Sequence, residues 1–294
     1  MTSLVPTAPN RKPSWLKVAL PGGQGCREVE RLCRELGLNT VCSAAHCPNR
    51  AECWDRKTAT FLILGDVCTR SCRFCAVNSG RPAVPDTMEP QRIADAVKTL
   101  GLRHAVVTSV TRDDLIDGGA AFFAETIRCI RECSPGCTIE VLVPDFLGSE
   151  MALGQVLKAT PNVLAHNLET VPSMYGRVRP QAHYGRSLQL LHKAKELQQD
   201  ILTKSGLMLG CGETVAEIRQ VMRDLRHIHC DVLTIGQYLR PSRAHLPVEK
   251  YWHPDAFEQL QKEALALGFV RVEAGPLVRS SYRAEELFWQ EDTV

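Results

Sequence analysis

Six cysteines in two tight runs are the residues of this 294-residue chain best placed to do chemistry. Cys68, Cys72 and Cys75 form a C-x3-C-x2-C run within Gly65-Asp66-Val67-Cys68-Thr69-Arg70-Ser71-Cys72-Arg73-Phe74-Cys75. Three thiolates at this spacing can each take one iron of a [4Fe–4S] cubane and leave the fourth iron open to a ligand from outside the protein. Tetrahedral zinc would want a fourth thiolate or imidazole close by, and the nearest histidine is His46. Upstream, Cys42, Cys47 and Cys53 make a C-x4-C-x5-C run in a segment (40–57) without hydrophobic periodicity. Three thiols in so short an irregular stretch suggest a loop organised by a metal cluster, with redox or packing cysteines as the plainer alternative.

The chain holds 13 cysteines in all. No apolar h-region opens it, and no apolar run approaches the roughly 20 residues of a bilayer span. The expectation is a soluble, cytoplasmic protein with no membrane partner, in a reducing compartment where clustered thiols bind metal more often than they crosslink. Lys and Arg number 35 against 33 Asp and Glu, a net charge of +2, which is too small an excess for a dedicated nucleic-acid binder. With 44% apolar and 23% charged residues, disordered, collagen-like and coiled-coil classes are excluded.

The elements that must position these thiols alternate regularly. Short apolar, β-branched runs at 59–64, 105–110, 139–143, 163–166, 207–209 and 232–235 predict strands, and amphipathic stretches at 91–100, 119–133, 149–159, 185–198 and 213–227 predict helices between them. Six strands alternating with five helices imply an α/β fold, a partial, open (β/α)6 TIM-like barrel whose ligands gather at the C-terminal strand ends. An N-terminal extension (1–57) precedes the barrel (58–250); it begins with a Pro/Gly-rich stretch (1–25) extended over the surface, then a helix near 26–36 capped by Gly37. A C-terminal extension (251–294) holds a helix near 255–267, an apolar run at 269–272 and a polar tail.

The C-x3-C-x-aromatic-C run after a first strand resembles the signature of the radical S-adenosylmethionine superfamily. Both cysteine runs together resemble the lipoyl synthase family. The likeness includes Lys12-Pro13-Ser14-Trp15-Leu16-Lys17, Pro21-Gly22-Gly23, Val143-Pro144-Asp145 and His166-Asn167-Leu168-Glu169-Thr170. It continues through Arg177-Val178-Arg179-Pro180, Gly210-Cys211-Gly212-Glu213-Thr214, Gly236-Gln237-Tyr238-Leu239-Arg240-Pro241-Ser242 and Val278-Arg279-Ser280-Ser281-Tyr282, over residues 12–286 in order. The resemblance implies S-adenosylmethionine chelated by the open iron of a [4Fe–4S] cluster on Cys68, Cys72 and Cys75, and cleaved there to a 5′-deoxyadenosyl radical. It implies a second, auxiliary [4Fe–4S] cluster on Cys42, Cys47 and Cys53, with Ser281 as the fourth ligand; serine is a harder, weaker ligand for iron than thiolate and so suited to release. It further implies a sulfurtransferase acting on an octanoyl chain amide-linked to a lipoyl carrier domain, such as a 2-oxoacid dehydrogenase E2 subunit or glycine cleavage H protein. The auxiliary cluster would supply sulfur to C6 and C8, with ferredoxin or flavodoxin as electron donor. These C–H bonds carry no acidic proton, so a radical rather than a base must break them.

The implied S-adenosylmethionine contacts are Phe74 near the adenine, Ser109 at the methionine moiety, Asn167 and Glu169 at the ribose, and Arg179 at the methionine carboxylate. The N-terminal segment and C-terminal tail would close over the barrel mouth. Other functions in view are a biotin-synthase-like sulfur inserter, a methylthiotransferase, or a non-catalytic iron–sulfur electron carrier. Cys129, Cys133 and Cys137 imitate a third cluster, but the first two share a helix face and a Ser134-Pro135-Gly136 turn follows, which indicates packing. Cys26, Cys33 and Cys230 are read as helix-face or core residues, Cys211 as standing where the family has an aliphatic residue, and His166 as a satisfied strand-end histidine. Residues 1–57 carry nine Lys/Arg against five Asp/Glu, and Arg27, Arg31 and Arg34 would face an acidic carrier if this bias serves docking.

Overall fold

A computed structural model describes residues 12–17, 23–45, 47–55 and 59–288; much of the Pro/Gly-rich start, and His46, lie outside them. Helix α1 (Gln24–Glu35) buries Cys26, Val29, Leu32 and Cys33, and Gly37 follows its end at φ +60°. The exposed Arg31 of this helix pairs with Glu35 one turn on. The cysteine-bearing stretch that shows no period contains β1 (Asn39–Thr40), α2 (Val41–Ala44) and α3 (Arg50–Asp55). The two helices are four and six residues long, too short for a 3.6-residue repeat to register in sequence.

Strand β2 (Thr60–Ile63) is buried along its whole length. The chain then leaves the sheet into the second cysteine run, and β3 (Val67–Cys68) pairs in parallel with β4 (Asn78–Ser79) to clasp that loop shut. Helix α4 (Glu89–Leu100), β5 (His104–Ser109), α5 (Ala120–Cys133), β6 (Thr138–Leu142), α6 (Glu150–Lys158) and β7 (Val163–Ala165) continue the alternation. After α7 (Tyr175–Val178) and α8 (Tyr184–Leu197) come β8 (Leu202–Leu209), α9 (Val215–His227), β9 (Val232–Gln237), α10 (Pro254–Ala266) and β10 (Arg271–Gly275). The sheet order is β1-β2-β5-β6-β7-β8-β9-β10. Only β1 is antiparallel to its neighbour, and among the described residues β10 does not pair back to β1 or β2. The barrel is therefore open, as its strand count implies.

Two differences from the sequence expectation have physical causes. The apolar run at 269–272 becomes β10, which pairs in register from Arg271–Val232 to Gly275–Gly236, so seven strands rather than six are parallel. Strand β8 begins at Leu202, well before the expected 207–209, because Thr203, Lys204 and Ser205 are polar yet buried inside the barrel. Lys204 Nζ lies 2.9 Å from Glu140 Oε1, and burial of the pair is tolerated because each charge answers the other.

The C-terminal tail crosses the mouth before turning back. Asn49 Nδ2 donates to Leu277 O at 2.7 Å, and Tyr282 Oη to Glu52 Oε1 at 3.1 Å, so the tail is fastened to the cysteine-bearing N-terminal segment. Val278 O presses on the end of β9, where a Cβ on Gly236 would sit 2.1 Å from that oxygen. Beyond Tyr282 the chain heads for the opposite end of the strands, where Glu286 meets Arg271 at 2.7 Å and the Phe288 ring lies 5.7 Å from that of His104. Replacing Gly236→Ala should lift the tail from β9, at about 1–3 kcal/mol of overpacking strain. Limited proteolysis should then release the C-terminal segment faster than in the parent protein, with a lowered thermal midpoint.

Candidate active site

The site begins where β2 stops. Leu64, the next residue, takes φ +67°, a left-handed conformation rare for a branched side chain. It is held there from both sides: its N–H donates to Glu89 Oε2 at 2.6 Å, and its carbonyl accepts from Arg112 Nη1 at 3.3 Å. Its side chain packs on Gly119, where a Cβ would lie 2.3 Å from Leu64 Cδ1. This bend aims the cysteine loop across the strand ends.

Arg70, inside that loop, is buried and charged. Its Nε and Nη2 reach Asp113 at 2.6 and 2.8 Å, and Nη2 also reaches Asp145 at 2.6 Å. Arg186 adds a second, longer contact to Asp145 at 3.3 Å. Burial alone would raise the Asp145 pKa, but the Arg70 hydrogen bond and charge outweigh it and hold the carboxyl at about 2. The same loop is tied down by Thr69 Oγ1 donating to Thr111 O, Ser71 N–H to Gln181 Oε1, and His245 Nε2 to Cys75 O at 3.0 Å. Cys68 Sγ accepts backbone N–H groups from Thr111 at 3.3 Å and Arg70 at 3.4 Å. Burial pushes Cys72 up and Cys75 up to about 12, so as free thiols they are neutral, and iron must displace their protons.

Around this loop the strand ends present polar atoms with nothing to bond. Ser109 Oγ at the end of β5, Asn167 Oδ1 just past β7 and Arg179 Nε after α7 are all buried and unpartnered among the described residues. Buried polar atoms are rarely left so without a ligand in view. Glu169, at φ +66°, is a second strained residue. Burial pushes its pKa up, against Arg179, the Asn167 amide and Arg279. Arg179 Nη1 donates to Asn167 O at 2.7 Å, and its charge also favours the Cys72 thiolate. Phe74 lies in an apolar patch with Val178, Cys211, Tyr238, Leu246 and Val248. These groups fit a zwitterionic, hydroxyl-bearing ligand with an apolar ring: a cation for a carboxylate, acceptors for an amine or hydroxyls, and a flat apolar wall.

The first cysteine run is brought together as well. Cys42 is buried in α2, Cys53 stands on α3 and Cys47 lies between them; the Cys42 and Cys47 charges both bear on Cys53. Burial raises all three thiols, Cys53 to about 12. The buried Trp54 indole N–H, without an oxygen acceptor, lies beside Cys42 and favours its thiolate. Ser281 sits in the tail between Arg279, whose charge reaches Cys47, and Tyr282, bonded to Glu52 beside Cys53. Among the described residues no three Cys, His, Asp or Glu converge on a single ion.

Residues to which the sequence assigned no role do much of the positioning. Asp113 and Asp145 are among them, and only the fold brings Arg70 to them. Glu213 accepts from the N–H groups of Gly210, Cys211 and Gly212 and from Trp252 Nε1 at 3.0 Å, so it organises the turn after β8. Cys129 and Cys137 are buried away from the site and Cys133 contacts Gln91, in keeping with packing. His166 Nδ1–H donates to Val143 O at 2.8 Å and its Nε2 accepts from Ser187 Oγ at 2.9 Å, the satisfied core arrangement expected of it.

The radical SAM superfamily profile matches residues 62–225. The chain is 58% identical to a lipoyl synthase of Rubrobacter xylanophilus over 275 residues, covering 94% of this chain and 86% of that protein. It is 55% identical to a lipoyl synthase of Chlorobaculum tepidum over 280 residues, covering 95% and 96%. Among solved structures, methylornithine synthase aligns with a TM-score of 0.56 at 16% identity, over 92% of this chain and 90% of that one. Streptococcus suis SuiB bound to S-adenosylmethionine aligns with a TM-score of 0.56 at 10% identity, over 74% of this chain and 50% of that one. These two share the partial-barrel fold.

Removing the Arg70 guanidinium (Arg70→Met) strands two carboxylates in a buried site, and should cost about 3–5 kcal/mol in urea unfolding and impair iron loading of the adjacent cysteines. Acid should act through His166. Burial first, then the Arg179 charge, lower its pKa from 6.5 to about 4. A depressed histidine pKa means the unfolded chain binds the proton first, so this contribution is complete above pH 6.5 and is lost as pH falls toward 4. The loss is about 3 kcal/mol, and His166→Gln should flatten the urea-midpoint profile across that window.

Proposed function

The chain belongs to the lipoyl synthase family of the radical S-adenosylmethionine superfamily, and from that premise we propose how its residues divide the insertion of two sulfur atoms into a protein-bound octanoyl chain. When bound, S-adenosylmethionine with one [4Fe–4S] centre supplies the oxidising power to break unactivated C–H bonds at C6 and C8, and a second [4Fe–4S] centre supplies the sulfur. Cys68, Cys72 and Cys75 would hold the first centre, on a loop that Arg70 keeps rigid against β5 and β6. Arg179 is suited to the methionine carboxylate, Ser109 and Asn167 to the polar groups whose hydrogen bonds they lack, Glu169 to the ribose hydroxyls and Phe74 to the adenine.

Cys42, Cys47, Cys53 and Ser281 would hold the second centre. The serine oxygen, harder and less strongly bound to iron than thiolate, is the ligand suited to leave. The tail tied to Asn49 and Glu52 would keep water from the acyl chain while it carries an unpaired electron. The division into a cluster-bearing N-terminal extension, a barrel and a C-terminal extension follows these roles, although β10 joins the third part to the barrel sheet. The substrates are octanoylated carrier domains, for which E2 subunits of 2-oxoacid dehydrogenases and glycine cleavage H protein are our candidates. Ferredoxin or flavodoxin is our candidate reductant. Among the described residues no helix is long and apolar enough to cross a membrane.

The observation that supports this assignment of residues is that the tail carrying Ser281 is bonded to the cysteine-bearing N-terminal segment from the far end of the chain, through Leu277 O to Asn49 and through Tyr282 to Glu52. Anaerobic reconstitution should give about eight irons per chain, and about four in a variant with Cys42, Cys47 and Cys53 all replaced by Ala. With reductant, S-adenosylmethionine and an octanoyl-lysine peptide, mass spectrometry should show a dithiol product only for the parent protein. The variant should still release 5′-deoxyadenosine. Sulfur insertion by the triple variant would refute the assignment.

A further inference from the structure

The segment after β9 and the loop that carries Cys68, Cys72 and Cys75 meet in a surface that the roles above leave unused. Leu246 N–H donates to Arg73 O at 2.9 Å, and His245 Nε2 donates to Cys75 O at 3.0 Å, so residues 239–250 lie directly against the loop. Charge on the two pieces is one-sided. Residues 68–81 hold Arg70, Arg73 and Arg81 and no carboxylate; residues 239–250 hold Arg240, Arg243 and Lys250 against Glu249 alone. Arg70 is answered by Asp113 and Asp145, and Glu249 is taken by Arg177. Arg73 and Arg243 are exposed and form no ion pair among the described residues. Lys250, also exposed, stands over the Trp252 ring, 3.8 Å from its centroid. Arg240 serves the geometry instead: its Nε donates to His245 O at 2.8 Å and its Nη2 to Arg243 O, which fixes the turn that presents Arg243. None of the large apolar side chains that stand exposed lies in either piece.

We propose that this basic surface docks a small acidic protein that carries one electron and delivers it to the centre held by Cys68, Cys72 and Cys75. The inference rests on the reading that those cysteines hold a [4Fe–4S] centre. Each reductive cleavage of S-adenosylmethionine takes one electron, so the donor is oxidised by one electron, the centre is reduced by one, and no bond forms between the proteins. Such a transfer needs close approach but not a large apolar interface, and weak redox encounters sit at the small end of protein contacts. A polar surface of cations without partners suits a complex of that kind, which forms and parts quickly. Arg73 stands between Cys72 and Cys75 in the chain, so a protein seated on it lies against the thiol-bearing loop itself. The same charges steer an acidic partner to this face and raise its association rate, an advantage that salt removes.

The test uses reconstituted full-length protein, a variant combining Arg243→Glu with Lys250→Glu, the single Arg73→Gln and the charge-preserving Arg243→Lys. Iron is counted first. Release of 5′-deoxyadenosine is then measured with dithionite and, separately, with reduced flavodoxin over a range of concentrations. The expected result is parental iron content and a parental rate with dithionite in every variant. The KM for flavodoxin should rise about tenfold or more in the double reversal, less in Arg73→Gln, and stay near parental in Arg243→Lys. In the parent that KM should climb with ionic strength, and in the double reversal it should not. An unchanged KM for flavodoxin in the double reversal, or an equal loss of rate with dithionite, would overturn the proposal. So would a raised KM for an octanoylated carrier domain with that for flavodoxin unchanged, which assigns the surface to the carrier. A parent that releases no 5′-deoxyadenosine even with dithionite would overturn the reading of Cys68, Cys72 and Cys75 as well, which separates that failure from this one.

Discussion

Arg70 lies within the loop that carries Cys68, Cys72 and Cys75, and its guanidinium joins the carboxylates of Asp113 and Asp145 in a buried site. Those carboxylates follow β5 and β6, so one side chain fastens the loop to two strands of the sheet. A loop of this length would otherwise sample many conformations, and ordering it costs about 1–2 kcal/mol per residue in backbone entropy alone. The ion pair also makes misplacement expensive, because any shift that separates the groups leaves a charge buried without a partner. Cysteine geometry, the N–H groups offered to Cys68 Sγ and the bond from His245 to the Cys75 carbonyl all depend on that anchor.

Two strained residues stand where strands hand over to chemistry. Leu64 and Glu169, both with positive φ, stand just beyond β2 and β7, at the C-terminal ends toward which a parallel barrel directs its ligands. Each is held by its neighbours: Leu64 by Glu89, Arg112 and Gly119, and Glu169 by backbone bonds to Gly206 and Met208. The unpartnered Ser109, Asn167 and Arg179 atoms lie in this zone as well. A rigid frame that leaves selected polar atoms unbonded is organised to bind before the ligand arrives, which limits the reorganisation needed during reaction.

The second site is assembled differently. Cys42 and Cys53 sit on two short helices with Cys47 between them, and a tail more than two hundred residues away in sequence is bonded to this segment. Asn49 and Glu52 on one side and Gly236 on the other hold the tail, and bare glycine surface at the end of β9 is what lets it lie so close. The loop of Cys68, Cys72 and Cys75, by contrast, is fastened to the barrel by the buried Arg70–Asp145 and Arg70–Asp113 ion pairs.

Local order and the thiol spacings were legible in the sequence, because β-branched runs, helical periodicity and C-x3-C-x2-C spacing are short-range properties of the chain. The expected strands appear, with β8 extended by Thr203, Lys204 and Ser205, whose polarity hid a buried strand until Glu140 was seen opposite Lys204. The resemblance carried by the motifs also implies Ser109, Asn167, Glu169 and Arg179 near one ligand; Ser109 ends β5, Asn167 and Glu169 follow β7, and Arg179 follows α7. What tertiary structure alone decided were the long-range pairings: Arg70 with Asp113 and Asp145, Asn49 with the Leu277 carbonyl, and Tyr282 with Glu52. Such partners have no spacing to read, since a buried charge or a close backbone approach is defined only when distant segments meet in the folded chain.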